Sequence, residues 1–263
     1  MTEAASDNIR MERDGPIATV VLDRAAKLNA LTKAMWRGLG EAVAALSADD
    51  SVRCVVLRGA GDKSFSPGND ISEFETTRSN PEQAQAYGAI MHATLRTLGE
   101  CRHPVVAVIR GICVGGGLEI AALCDLRICG QSSRFGVPIN KLGLVMAHEE
   151  VRALVALVGA PGALEILLEG RVFDAGEAVR LGLVNRVVPD AEVWSEGSAM
   201  AHRIAAGAPL VARWHKQFIR RVQNPAPLTP AERAEGYACY ATEDFRTGYQ
   251  AFLKKVPPEF KGK

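Results

Sequence analysis

The apolar positions of this chain change period along its length. Residues 17–22 (IATVVL) and 52–58 (VRCVVLR) are short runs rich in β-branched side chains and read as strands. Residues 104–109 (PVVAVI) are unbroken apolar sequence of strand length, suited to a strand buried on both faces. Residues 125–129 (DLRIC) read as another strand. Helical stretches are expected from Thr32, as N-cap, to about Ser47, and from about Pro81 to Cys101. Gly115-Gly116-Gly117 precedes a short apolar helix, Leu118 to Leu123. Gly159-Ala160-Pro161-Gly162 divides residues 150–169 into two helices, and the chain after about Asp190 is helical. Strands dominate early and helices late, with a strand–strand–helix rhythm, so an α/β class is expected. The division expected is a core over 1–195 and a helical region over 196–263.

Size and charge narrow the picture. The chain has 263 residues and a formal net charge of +1, ample for a large core and without the bulk charge of a nucleic-acid binder. The N-terminus lacks the basic start and apolar run of a secretion signal. Charged residues interrupt every long apolar run, so no membrane span is expected. The six cysteines form no C-x-x-C pair and have no His or Cys at metal-ligand spacing. They read as reduced, buried residues of a cytoplasmic protein, with no metal site.

Two loops carry candidate chemistry. In Gly115-Gly116-Gly117-Leu118-Glu119, three glycines after a buried strand let the backbone approach a ligand and aim N–H groups at it. The helix start adds free N–H groups and a partial positive field. Such a nest suits negative charge developing on an oxygen; tight strand–helix packing is the plainer alternative. The stretch is neither a dinucleotide fingerprint, nor a P-loop, nor a nucleophile elbow. Glu119 stands among Leu118, Ile120, Ala121, Ala122 and Leu123, where a carboxyl should have a raised pKa suited to proton transfer. The second loop, Ser66-Pro67-Gly68-Asn69-Asp70-Ile71, offers an unusual turn at Gly68 and the N–H of Asn69, although alone it reads as a surface turn.

Taken with further segments, these loops resemble the crotonase superfamily, which contains enoyl-CoA hydratases and isomerases. The matching residues run in order from Leu28-Asn29-Ala30-Leu31 and Phe65 to Ile71, through Pro104 to Ala107, Gly115 to Glu119 and Cys124-Asp125-Leu126. Phe135-Gly136, Lys141 to Leu144 and Arg180 to Val184 complete the series. The resemblance implies a crotonase-like spiral of ββα units with a helical C-terminal trimerisation region, assembled as trimers or dimers of trimers. It implies an oxyanion hole from the N–H groups of Asn69 and Gly116, and Glu119 as a catalytic glutamate. Lys27 and Leu28 would lie where the family cradles coenzyme A. Ser66, Gly68, Asp70, Ile71, Gly115 and Gly117 would border the acyl thioester. Phe260 and Lys261 match positions that reach coenzyme A across a subunit contact. No cofactor is implied, because coenzyme A enters as part of the substrate.

One departure bears on the reaction. The hydratases' second glutamate position, after Phe135-Gly136-Val137-Pro138, holds Ile139, which can neither hold a water nor give a proton. Projecting the apolar face of Val151, Leu154, Val155 and Val158 back three or four residues reaches Ala147 and His148. His148 is therefore the candidate second polar group, with Glu149 and Glu150 favouring the helix N-terminus electrostatically. The expected function is a lyase or isomerase of the enoyl-CoA hydratase/isomerase type, acting on acyl-CoA thioesters in fatty acid metabolism. Alternatives are a hydrolase, decarboxylase or dehalogenase of the same superfamily, or a non-catalytic CoA- or RNA-binding member.

Overall fold

A computed structural model of the chain describes residues 3–6 and 8–263. The N-terminal reading therefore rests partly on residues outside those described. Eleven strands occur in chain order among the described residues. β1 (Glu3–Ser6), β2 (Ile9–Asp14) and β3 (Ile17–Leu22) form an antiparallel meander. Then come β4 (Cys54–Gly59), β5 (Ser64–Ser66), β6 (Val105–Ile109) and β7 (Ile112–Val114). The rest are β8 (Leu126–Gly130), β9 (Arg134–Gly136), β10 (Phe173–Asp174) and β11 (Arg186–Val188).

One sheet has the order β1-β2-β3-β4-β6-β8-β11, parallel from β3 onward; the other runs β10-β9-β7-β5. Each of the pairs β4/β5, β6/β7 and β8/β9 gives one strand to each sheet before the chain passes into a helix. That repetition is a spiral of ββα units, as expected. The helices closing the turns are α1 (Lys33–Ala48), α2 (Phe74–Thr77), α3 (Pro81–Glu100), α4 (Gly116–Leu123) and α5 (His148–Glu169). Helices α6 (Ala175–Arg180), α7 (Val193–Ala205), α8 (Pro209–Val222), α9 (Pro230–Glu235) and α10 (Glu243–Lys254) follow.

Local chemistry sets these boundaries. Thr32 caps α1 by accepting the Met35 N–H at 3.2 Å, and Asn80 caps α3 ahead of Pro81, whose missing N–H costs nothing there. Strand β6 is buried throughout, and its alternation divides it between two cores. Val105, Ala107 and Ile109 join the main core, whereas Val106 and Val108 face the core that α7 covers with Val193, Met200, Ala201 and Ala205.

Helix α7 thus packs its apolar stripe on the sheet. By length and composition α5 is apolar enough to cross a membrane. Its backbone breaks at Gly159 (φ 70°), dividing it into two pieces as the sequence suggested, and it buries Leu154, Ala163 and Ile166 in the core. The C-terminal helices are pinned by Asp125, which pairs with Lys216 (2.6 Å) and Arg220 (3.0 Å) of α8 and accepts the Val105 N–H.

Candidate active site

The loop after β5 and the start of α4 meet through their backbones. Leu31 donates its N–H to the Gly68 carbonyl and accepts the Asp70 N–H, both at 2.8 Å, in a parallel bridge to Asn69. In such a bridge the central residue's own N–H faces the opposite way. The Asn69 N–H therefore points from Leu31 toward α4, where Gly116, as first helical residue, has an N–H with no intrahelical partner. The approach is so close that a Cβ on Gly68 would lie 2.7 Å from the Gly116 nitrogen; Gly68 has φ +95°. A Cβ on Gly117 would overlap the Ser66 carbonyl oxygen. Trp36 of α1 supports the pair from below. Its indole N–H donates to Asn69 Oδ1 at 2.6 Å, and its ring would sit 3.1 Å from a Cβ on Gly116.

The first turn of α4 carries Glu119 into the interior, where it is 7% exposed and its Oε2 has no hydrogen-bond partner among the described residues. Its pKa is raised to about 8, first by burial and then by the nearby charge of Glu150, with the charge of Arg78 opposing them. Glu119 is thus protonated at neutral pH. Because the folded-state pKa lies above that of an unfolded glutamate, Glu119 contributes stability that is complete below the ordinary carboxyl range and lost as pH rises through about 8. Glu119→Gln removes that loss. Thermal melts should show the variant gaining on the parent as pH rises from about 5 to about 9.

Glu150, in the first turn of α5, is buried and facing Glu119, whereas His148 and Glu149 are exposed. This corrects the sequence-based choice of His148. Only Leu154 of the early α5 residues is fully buried, and four residues before it stands Glu150, not His148. One Glu150 oxygen accepts the Ala147 N–H at 2.8 Å; the other lies 2.8 Å from Nε2 of His92 on α3. Ile139 is half-buried and packs on the core.

Other expected contacts fall differently. Ser66 is wholly buried, donates to the Asn29 carbonyl and accepts the Gly68 N–H, so its hydroxyl braces the loop instead of facing substrate. Asp70 pairs with Arg24 at 2.6 Å and caps the turn at Ser72, and these bonds hold its carboxyl below the usual range. Its ion pair ties the Asn69 loop to the Arg24–Leu28 loop, on which Lys27 and Leu28 are exposed. Ile71 is exposed beside them. Phe260 and Lys261 lie away from this site within one chain. Arg53 donates to the Phe260 carbonyl and Asp244 accepts the Lys261 N–H, at the opposite end of β3 and β4 from Arg24, about 17–20 Å along the strands.

The comparisons with known proteins bear on the family to which this ββα spiral belongs. Residues 12–263 match the family model for enoyl-CoA hydratase/isomerase. This chain belongs to that family. The enoyl-CoA hydratase/isomerase fold extends over the whole chain. A crystal structure of an enoyl-CoA hydratase/carnithine racemase from Magnetospirillum magneticum is 50% identical with a TM-score of 0.97, covering 100% of this chain and 97% of that one. Short-chain-enoyl-CoA hydratase of Clostridium acetobutylicum is 33% identical over 251 residues, 95% of each chain. Crotonyl-CoA hydratase of Syntrophomonas wolfei is 32% identical over 258 residues, covering 97% of this chain and 98% of that protein.

Sequence reasoning missed Trp36, Arg78, Tyr87, Met91 and His92. Tyr87, Met91, Thr94, Leu95 and Leu98 form one buried stripe on α3 at helical spacing. That stripe was legible as a core face, but not as the wall of a site. The side-chain Nδ2 of Asn69 donates to Met91 Sδ at 3.6 Å, which places the stripe beside the Asn69 loop.

Proposed function

We propose that this protein is an enoyl-CoA hydratase that adds water to a 2-enoyl thioester between two carboxyl groups, Glu119 and Glu150. The observation that carries the reading is the buried carboxyl of α4 set against a second buried carboxyl of α5, beside the N–H groups of Asn69 and Gly116. The thioester oxygen accepts from both N–H groups. Glu150, as carboxylate, takes a proton from water as its oxygen bonds to C3 of the enoyl chain. The electron pair of the double bond moves into the enolate held by the two donors. Protonated Glu119 then delivers its proton to C2. The proton now on Glu150 returns to Glu119 through the next water, and the cycle closes.

Glu150 supplies what Ile139 cannot, which favours hydration over a one-carboxyl isomerisation. His92 fixes the Glu150 carboxylate and is a positioning residue. We assign coenzyme A to the Arg24–Leu28 loop, with Lys27 toward its phosphates. We assign the exposed apolar residues of α8 to α10, among them Ile219, Tyr240 and Phe252, to assembly with further copies of this chain.

The test uses crotonyl-CoA followed by mass spectrometry, with α-proton exchange of butyryl-CoA in D2O measured in parallel. The parent enzyme should add water and exchange the α-proton. Glu150→Gln should lose hydration yet keep exchange, which needs only Glu119 and the backbone donors. Full hydration by Glu150→Gln, or an isomeric product of unchanged mass from a longer 3-enoyl thioester in place of hydration, overturns the assignment.

A further inference from the structure

Arg78, directly after α2, holds a cation that no carboxylate among the described residues neutralises. Its guanidinium carbon lies 4.8 Å from the ring centroids of both Phe74 and Tyr87. Two faces fix its plane, each attracting the cation. Its Nη1 is buried without a hydrogen-bond partner, and no carboxylate among the described residues is within ion-pair reach. Arg10, Arg13, Arg24, Arg58, Arg171 and Arg180, by contrast, each meet a carboxylate. Glu73, on the same segment, accepts the Lys33 N–H at 2.8 Å and the Tyr87 hydroxyl at 3.5 Å. Leaving a buried donor unmet costs free energy, so the geometry calls for an anionic acceptor from outside the chain.

The position of the cation says what that acceptor belongs to. Arg78 is close enough to Glu119 for its charge to act on that carboxyl. Tyr87, on which it stacks, is one helical turn before Met91, the residue touching Asn69. One turn is about 5.4 Å. From the backbone donors that would hold the thioester oxygen, a few carbons of acyl chain span that rise and bring the chain's far end to the guanidinium.

We propose that Arg78 selects acyl-CoA substrates whose short acyl chain ends in a carboxylate. A planar guanidinium clamped between two rings presents its N–H groups in the fork that a carboxylate matches. A chain ending in a methyl group leaves the Nη1 donor unmet, and one ending in a quaternary ammonium is repelled. The assignment deepens the enoyl thioester reading and rests on it for the placement of the thioester.

The experiment compares glutaconyl-CoA, a short 2-enoyl thioester ending in a carboxylate, with its methyl ester and with a trimethylammonium-bearing enoyl thioester of similar length. Hydration is measured for the parent, Arg78→Met and Arg78→Lys, and dissociation constants are measured on the same Arg78 series carrying Glu119→Gln. The parent should favour the acid over the ester by about 10–100-fold in kcat/KM. Arg78→Met should bring that ratio near unity, since any effect relayed through the Glu119 carboxyl falls on acid and ester alike, and Arg78→Lys should keep part of the preference. No preference in the parent, equal losses on acid and ester in Arg78→Met, or preference for the ammonium overturns the proposal. Acid-selective, Arg78-dependent binding without hydration of any thioester would retain the Arg78 assignment and defeat the hydratase reading. Glu119-dependent hydration of crotonyl-CoA without acid preference would do the reverse.

Discussion

Glu119→Gln should give a folded protein that binds enoyl thioesters but hydrates them about 10²–10⁴-fold more slowly. The amide matches the carboxyl in size and in its capacity to donate, so packing around α4 is retained. What is lost is the proton delivered to C2. The parent enzyme's pH profile carries the same information. Hydration begins from protonated Glu119 with ionised Glu150, and dehydration begins from the opposite arrangement. Both hold one proton between the two carboxyls, so both directions draw on the same macroscopic state. The overall reaction neither takes up nor releases a proton, which requires the same dependence of kcat/KM in each direction. Burial and the charge of Glu150 raise Glu119 to about 8, so kcat/KM should fall as pH passes upward through about 8 for both crotonyl-CoA and its 3-hydroxy product. Initial rates in both directions across that range check it. Opposite limbs, or a flat profile, would show that the two carboxyls do not share the proton.

The path to this site was partly legible in the sequence. Residues 104–109 declared a strand buried on both faces because every position is apolar. The glycines at 115–117 and the lone carboxyl at Glu119 declared a site because only a close backbone approach and a proton-transfer role explain them together. The three-residue strands Ile112–Val114 and Arg134–Gly136 were invisible, since they are shorter than any periodicity and are defined by pairing with distant segments. The second polar group was assigned to His148 for a related reason. Four apolar residues near the start of α5 mark a broad face, and its centre depends on which of them the rest of the fold buries. Val151 and Val155 are only half-buried, and Leu154 is the axis. Shifting the projection to Leu154 moves it from His148 to Glu150. Arg78 had only Phe74, four residues before it, as a local partner; Tyr87 and Glu119, on whose carboxyl its charge acts, come from separate helices.

Gly68→Ala should damage catalysis strongly by adding a single methyl group to the site. The new Cβ would stand 2.7 Å from the Gly116 nitrogen, on the side where that N–H and the Asn69 N–H converge. Loop and helix must separate to admit it, which takes the two donors out of register with one oxygen. Losing one such donor costs about 10²–10³-fold in kcat. Binding should weaken far less, since coenzyme A is held by the Arg24–Leu28 loop in this reading. Alanine at φ +95° also brings backbone strain of about 1–3 kcal/mol, so a lower Tm is expected alongside the catalytic loss. Gly15→Ala separates the two effects. Gly15 also has a positive φ, +54°, but a Cβ there meets nothing within 4 Å, and it lies in the β2–β3 turn. That variant should lose stability while keeping kcat. If Gly68→Ala loses no more kcat than Gly15→Ala at matched stability, the meeting of the Asn69 loop with α4 is structural, and the thioester oxygen must find its donors elsewhere.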